Sequence, residues 1–523
     1  MDRLYMHDLR KEVDERFVGF KPNGASIKPV HIAGGAFRSI LGYTDSAFGI
    51  KMLSYVCDSK GEPPLKIKDA ATRRDRKMTL DEALDAVIQY LDDPVVDGRG
   101  SAVDLRSVTR DEISSFRHAL HKLVNVDRGV YGISDSMLSY TAGTANFVVK
   151  RSLYEDAGDF IGYLIKVFCP ELGGYIAQIL EDINDPISIV FAPVLKDGDI
   201  EQYEFPYTEN YPLDRIAAYS NVGAYSPSLQ EYLEVLAKSG KCLKTNLEKH
   251  TNKLTQLRLF NMFCGIQVVR YLSLLEAFYC SGSVRPMLLD FTKQSNSSIS
   301  RTSVLCYSQL HKAISRFYAW AYAQELKTVM RYSKDDLLAA DVPYFDKPTP
   351  KRDNIPKQIV GMTSIWYMAK EEAANLPEDD AILVFGAAIN DMTALEATGH
   401  PINYMRKLGT DIGLFYPPTN FHVDKRFVVT DDIIEVILRS CVLPDETLSS
   451  TDLRNRLWER FGIIIGGSEG DISKLNQVGS IVYADADALN ENWSMFSETL
   501  QCMNFAEQLP DGILQIGFGG TRK

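Results

Sequence analysis

The sequence predicts a mixed α/β, predominantly helical, multidomain chain that ends in a winged-helix-like domain. Three observations carry that expectation. Long stretches set apolar residues three and four apart, the spacing of one helical face. Short apolar runs around Asp-Gly mark hairpins, because glycine reaches positive φ without steric cost. The stretch 346–356 holds three prolines and almost no apolar residue, which marks a linker.

Taken in order, residues 1–127 form a mostly helical N-terminal domain. Thr79-Leu80-Asp81-Glu82 places a hydroxyl three residues before a glutamate, a capping box, and Leu80, Leu84, Val87, Ile88 and Leu91 follow on one face. Thr109-Arg110-Asp111-Glu112 repeats this ahead of Ile113, Phe116, Leu120 and Leu123. Residues 128–240 are expected as an α+β domain. Its pattern is strand-like over 128–205, with strands at 187–191 and 200–205 around Lys196-Asp197-Gly198-Asp199, and its helix starts at Ser226-Pro227 and stops at Gly240.

Residues 241–345 make a central helical and βα domain. A helix over 252–280 is apolar on most of its circumference and belongs in a core. A second long helix runs over 302–330. Beyond the 346–356 linker, 357–430 reads as a small α/β segment with a helix at 365–374, a strand at 381–385 and a helix from Asn390 to Gly399. The last domain, 431–523, shows helices at 432–441, 450–461, 471–478 and 489–504. The strands 507–509 and 513–516 then enclose Pro510-Asp511-Gly512, and helices followed by such a hairpin are the winged-helix pattern.

The 523 residues, 45% apolar and 24% charged, suffice for about three or four packed domains and exclude wholesale disorder, collagen and a small disulfide scaffold. With 57 Lys+Arg against 69 Asp+Glu the net charge is −12, which argues against coating nucleic acid along the whole length. Met1 to Asp8 lack the basic and apolar regions of a secretory signal. The most apolar stretch, 258–270, is shorter than the ~20 residues a bilayer needs. A cytoplasmic protein without membrane contact is expected. The eight cysteines form no C-x-x-C pair and read as reduced core residues, so no structural zinc is expected.

Four places carry possible chemistry. Asp290, at a strand end, precedes a polar loop with Lys293, Ser297 and Ser298 and then Arg301 at a helix start, an anion-binding corner suited to a nucleotide or phosphate sensor. The alternatives are that Asp290 orients Arg301 and that the serines cap the helix. Lys66, Lys68, Arg73, Arg74, Arg76 and Lys77 form a basic cluster fit for a DNA backbone, or a solvated loop. Val384-Phe385-Gly386-Ala387-Ala388-Ile389-Asn390-Asp391, read as strand, loop and helix, is similar to the magnesium-holding segment of haloacid-dehalogenase-type phosphatases, and Asp485 with Asp487 looks like its nucleophile strand. The first acid of that pattern is Ala387 here and the order of the two segments is inverted. The plainer reading makes Asn390 a helix cap and 485–487 an acidic loop before a helix. His118 and His121, three apart, have no third ligand in view and read as surface histidines. Phosphate-loop, dinucleotide, zincin and serine-hydrolase motifs are missing. No catalytic residue, metal or cofactor is assigned.

In 431–523 the 15 acids against 7 bases leave −8, and 489–504 has no Lys or Arg, so this domain is expected to grip protein rather than DNA. Arg406-Lys407-Leu408-Gly409, Ile412-Gly413-Leu414-Phe415-Tyr416-Pro417, Arg426-Phe427-Val428 and the run from Arg454-Asn455-Arg456 to Gly467, together with 283–303, resemble segments of accessory proteins of multi-gene bacterial antiviral systems of the Druantia or methylation-associated kind. The resemblance implies work beside a helicase or ATPase and other proteins of a defence operon; with the catalytic motifs missing and the C-terminal domain acidic, a non-catalytic subunit is expected.

Overall fold

The computed structural model describes residues 4–22, 27, 29–41, 66–68, 75–77, 95–96, 102–103, 157–182, 227–280, 283–344, 359–395, 400–419, 424–477, 483–510 and 512–518. The capping boxes at 79–82 and 109–112, the hairpin at 187–205, His118, His121 and the 346–356 linker lie outside them. Helix predominates. In chain order the elements are α1 (Met6–Val13), a π-helical turn (Asp14–Val18), α2 (Pro29–Leu41), β1 (Lys66–Lys68), β2 (Asp75–Lys77), β3 (Val95–Val96), β4 (Ala102–Val103), α3 (Ala157–Phe168) and α4 (Pro170–Glu181). Next come α5 (Pro227–Leu247), α6 (Lys253–Tyr279), β5 (Met287–Leu288), α7 (Ser298–Gln324), a second π-helical turn (Glu325–Val329), α8 (Lys334–Ala339), α9 (Ile359–Ala373), α10 (Glu378–Ala394) and α11 (Pro401–Asp411). The last are α12 (Asp431–Arg439), α13 (Ser450–Phe461), β6 (Ile463–Ile464), α14 (Asp471–Asn476), α15 (Ala486–Cys502), β7 (Ala506–Gln508) and β8 (Leu514–Ile516).

Two compact units emerge, both discontinuous. One comprises Met1–Ile27, Glu209–Asn246 and Ile266–Lys523, the other Lys28–Thr208 and Leu247–Gly265. The boundary falls inside α6.

In the smaller unit, α2 and α3 touch through glycines. A Cβ at Gly35 would lie 2.7 Å from the Asp159 nitrogen, and one at Gly162 would lie 2.7 Å from the Ala36 Cα, so only glycine lets the helices come this close. Phe37 stacks on Phe260 at 5.6 Å. Of the strand-like pattern expected over 128–205, the part at 157–181 is corrected here. Residues 157–181 are two helices, α4 opening with Pro170 at its first turn, and α3 is buried on nearly all sides, so its residues alternate in no readable way. No single helix among the described residues is long and apolar enough to cross a membrane; only the pair α3 and α4, bent by 117°, passes that test of length and composition together.

The larger unit is organised on α7. Ser297 caps it by accepting from the Ser300 nitrogen at 3.0 Å, so the helix starts at Ser298 rather than at 302. Against it lies α10, so close that a Cβ at Gly386 would be 2.2 Å from the Ala319 carbonyl oxygen. This corrects the strand expected at 381–385 and the loop at Gly386: Glu378, Asp379 and Asp380 start a helix, favoured by its dipole, and Gly386 serves helix contact, not a turn. Trp366 of α9, fully buried, packs on Phe385 at 4.9 Å. Gly240 does not stop α5, which continues to Leu247.

A small sheet sits beside the start of α7. Met287 and Leu288 pair in parallel with Ile463 and Ile464, while Leu289 bridges Phe427 on the opposite side. The C-terminal elements match the sequence expectation closely. Helices α12 to α15 and the β7–β8 hairpin occur in the expected order, with Ser449 capping α13, Gly462 ending it at φ 66°, and Asp485 capping α15. Leu448, between α12 and α13, exchanges backbone hydrogen bonds of 2.8 and 3.0 Å with Ile516 of β8.

Candidate functional site

The corner predicted at 290–301 exists as a structural feature, and its anion is its own. Asp290, 2% exposed, ends the β5 run, its nitrogen donating to the Phe427 oxygen at 2.8 Å. Its Oδ1 accepts from Thr292 Oγ1 at 2.7 Å and from the Lys293 nitrogen at 3.2 Å. Ser300 Oγ lies 2.5 Å from Oδ2, and Arg426 Nε stands 3.3 Å from the same oxygen. Arg426 Nη1 donates to Ser300 Oγ at 3.1 Å, and its guanidinium lies 5.2 Å over the Tyr416 ring. The two charges thereby answer each other inside the corner, although Arg426 Nε, within ion-pair range of Asp290, makes no hydrogen bond of its own among the described residues.

Of the predicted residues, Asp290 and Ser297 are drawn into this network. Ser298 supplies a carbonyl to Thr302 at 2.8 Å. Lys293 is exposed at φ 55°, and Arg301 is exposed over Tyr483 at 5.8 Å. The alternative in which Asp290 orients Arg301 does not hold: Arg301 lies over Tyr483, and Arg426, far along the chain, pairs with Asp290. An incoming phosphate would have to displace the Asp290 carboxylate from each of these donors.

Sequence reasoning missed three groups that build this place. Ser303 Oγ donates to the Leu288 oxygen at 2.8 Å and accepts from the Phe427 nitrogen at 2.9 Å, standing in for a missing rung of the sheet. Asn492 of α15 accepts from the Phe291 nitrogen at 2.8 Å and donates to the oxygens of Leu289 and Ile465 at 2.8 and 2.7 Å. Arg426 is the third. Its only sequence signal was its place in a resembling segment.

The phosphatase-like residues are not arranged as that motif requires. Residues 384–391 lie in one continuous helix, α10, and Asp485 spends its Oδ1 on the Ala488 nitrogen at 2.8 Å as a helix cap. Burial raises the Asp391 carboxyl above its ordinary range. Among the described residues no three His, Cys, Asp or Glu side chains stand together as a metal site.

Of the basic cluster, Lys66 and Lys68 lie on β1 and Arg76 and Lys77 on β2, with Lys66 opposite Lys77 and Lys68 opposite Asp75. Arg73 and Arg74 lie outside the described residues.

On the C-terminal elements, a broad groove of about 510 Å³ is lined by Asp431, Glu435, Arg439, Asn504, Phe505 and Phe518. Arg439 donates to Glu435 at 2.8 Å and lies 4.8 Å over the Phe518 ring, which meets Phe505 edge-on at 5.4 Å. The neighbouring helix α15 exposes Asp487, Asn490, Glu491, Ser494 and Glu498 and contains no Lys or Arg. Compared with known proteins, the chain matches no family model, no curated relative and no solved structure.

Proposed function

We propose that this chain is a non-catalytic subunit of a bacterial antiphage defence complex, acting in the cytoplasm as a protein–protein scaffold through a winged-helix-like segment at 431–523. The observation that carries the proposal is the face of α15. It directly precedes the hairpin, the position from which winged helices present a reading helix, and it exposes Asp487, Glu491 and Glu498 without a cation. Such a face repels phosphates and suits a cationic protein surface. The Leu448–Ile516 bridge supports the winged-helix reading, because it ties the connection between the first two helices to the hairpin. Asp431 and Glu435 add to the acidic character, and Phe505 and Phe518 offer apolar anchors in the groove.

The resemblance over 406–467 supplies the setting, in which the partner is another protein of the same operon, a helicase or ATPase. DNA-backbone contact falls to the basic cluster of 66–77, where β1 and β2 bring Lys66 and Lys77 opposite each other.

Co-expression of the tagged chain with the products of its flanking genes tests this. A neighbour should be retained, and the double variant Glu491→Lys with Glu498→Lys should weaken retention at least tenfold. A chain that elutes alone, or retention indifferent to that charge reversal, overturns the proposal.

A further inference from the structure

A second cavity, of about 70 Å³, opens in the larger unit between α5, the C-terminal half of α6 and the end of α13. Its walls include Tyr232, Arg270, Leu274, Trp458 and Arg460, with Glu231 exposed beside them. That volume holds roughly five water-sized groups. Arg270 is 5% exposed, and its Nη1 meets no hydrogen-bond acceptor among the described residues. Burial pushes its guanidinium down to about 10, against the opposing pull of Tyr232 and Glu231, so it is charged at neutral pH. A Cβ at Gly462 would stand 2.6 Å from Nη1: only a bare backbone leaves room for the fork here.

The charges in this wall decide the kind of ligand. Arg270 and Arg460 face Glu231 and Glu459, but Glu459 is paired with Lys238 at 3.2 Å, which leaves one positive charge in excess. A buried guanidinium without a carboxylate is costly, and a planar two-oxygen anion is its best complement. A doubly charged phosphate would over-neutralise the pocket and meet Glu231. The apolar remainder of the wall, Tyr232, Val235, Leu274 and Trp458, asks for a short hydrocarbon body.

We propose that this pocket binds a small organic monocarboxylate, its two oxygens on Arg270 and its short apolar body against Tyr232, Leu274 and Trp458. This goes beyond the partner-gripping segment and does not depend on it. Butyrate is a suitable probe. Thermal denaturation of the full chain in sodium butyrate should give a midpoint several degrees above that in sodium chloride of equal ionic strength, saturating with concentration, because a ligand of the folded state stabilises it. Inorganic phosphate should give less than half that shift. Arg270→Met should lose the response, and Arg270→Lys, which keeps charge but not the fork, should need at least tenfold more butyrate. Equal midpoints in butyrate and chloride, or a full response in Arg270→Met, overturn the proposal; a larger shift with phosphate overturns the choice of a monocarboxylate. Should Arg270→Met fail to fold, tryptophan emission of the unaltered chain decides: a saturable change with butyrate that is lost in Trp458→Phe supports the site, and no change overturns it.

Discussion

Arg426 and Arg270 are both buried guanidinium groups of the larger unit, 7% and 5% exposed, and they are held in opposite ways. Around Arg426 the chain supplies a carboxylate, a hydroxyl and an aromatic face, so the charge is answered from within. Beside Arg270 it supplies a cavity with largely apolar walls and Glu231 at its edge, but no acceptor for Nη1 among the described residues. A buried cation with its own counter-ion is architecture, whereas one facing an empty space is a place for something else to bind. Burial and residue type alone do not separate the two; the presence of an acceptor does.

The sharpest way to break the comparison is to remove the internal anion. Asp290→Ala leaves Arg426 buried and uncompensated and should cost about 3–5 kcal/mol in urea denaturation. A loss below about 1 kcal/mol would mean that Arg426 is not held by Asp290. Second in size is Asn492→Leu, which strips three hydrogen bonds from backbone groups of 289, 291 and 465 and should cost about 2–4 kcal/mol by the same assay.

Acidification probes a different pair of buried groups. Burial pushes the imidazoles of His311 and His400 down to about 4, helped by Arg406 at His311 and by His311 and Arg10 at His400. In the unfolded chain each titrates near ~6.5, so that state takes up the proton first. Their contribution is therefore fully present above pH ~6.5 and is lost as pH falls toward ~4. For His400, 6% exposed, the loss should be roughly 2 kcal/mol, and less for the half-buried His311. His400→Asn keeps an acceptor for the Ile402 nitrogen and should flatten stability between those pH values; an unchanged slope would count against the histidine. The smallest effect belongs to Arg270→Met without ligand, which should lie within about 1 kcal/mol of the unaltered chain or above it, because it removes a buried charge whose Nη1 has no acceptor among the described residues. A loss as large as that of Asp290→Ala would make the two arginines alike and erase the comparison.

The C-terminal helices were legible because each carries local signals: Ser449 and Asp485 as caps, Gly462 as a left-handed stop, and apolar residues on one face. The helix over 252–280 was legible because apolar residues cover most of its circumference, but nothing local marked Arg270 within it as facing a cavity. Where the reading failed, burial had erased the pattern. On α3 nearly every residue is inside, and on α10 the acids of the first turn were outweighed by a β-like run and a glycine that looked like a loop. The corner at 290–301 was half legible: its strand, loop and helix start were readable, but not what fills it.

By itself the sequence determined the order of the C-terminal helices and hairpin, the acidic charge of that segment and the polar loop after Asp290, since caps, periodicity and charge act over a few residues. Only the tertiary structure decided that Arg426 rather than Arg301 answers Asp290, that Asn492 and Ser303 knit the small sheet, and that Arg270 faces a cavity. Those outcomes depend on which distant groups share one low-dielectric space, where an unmatched charge or hydrogen-bonding group is expensive, and no local spacing encodes that.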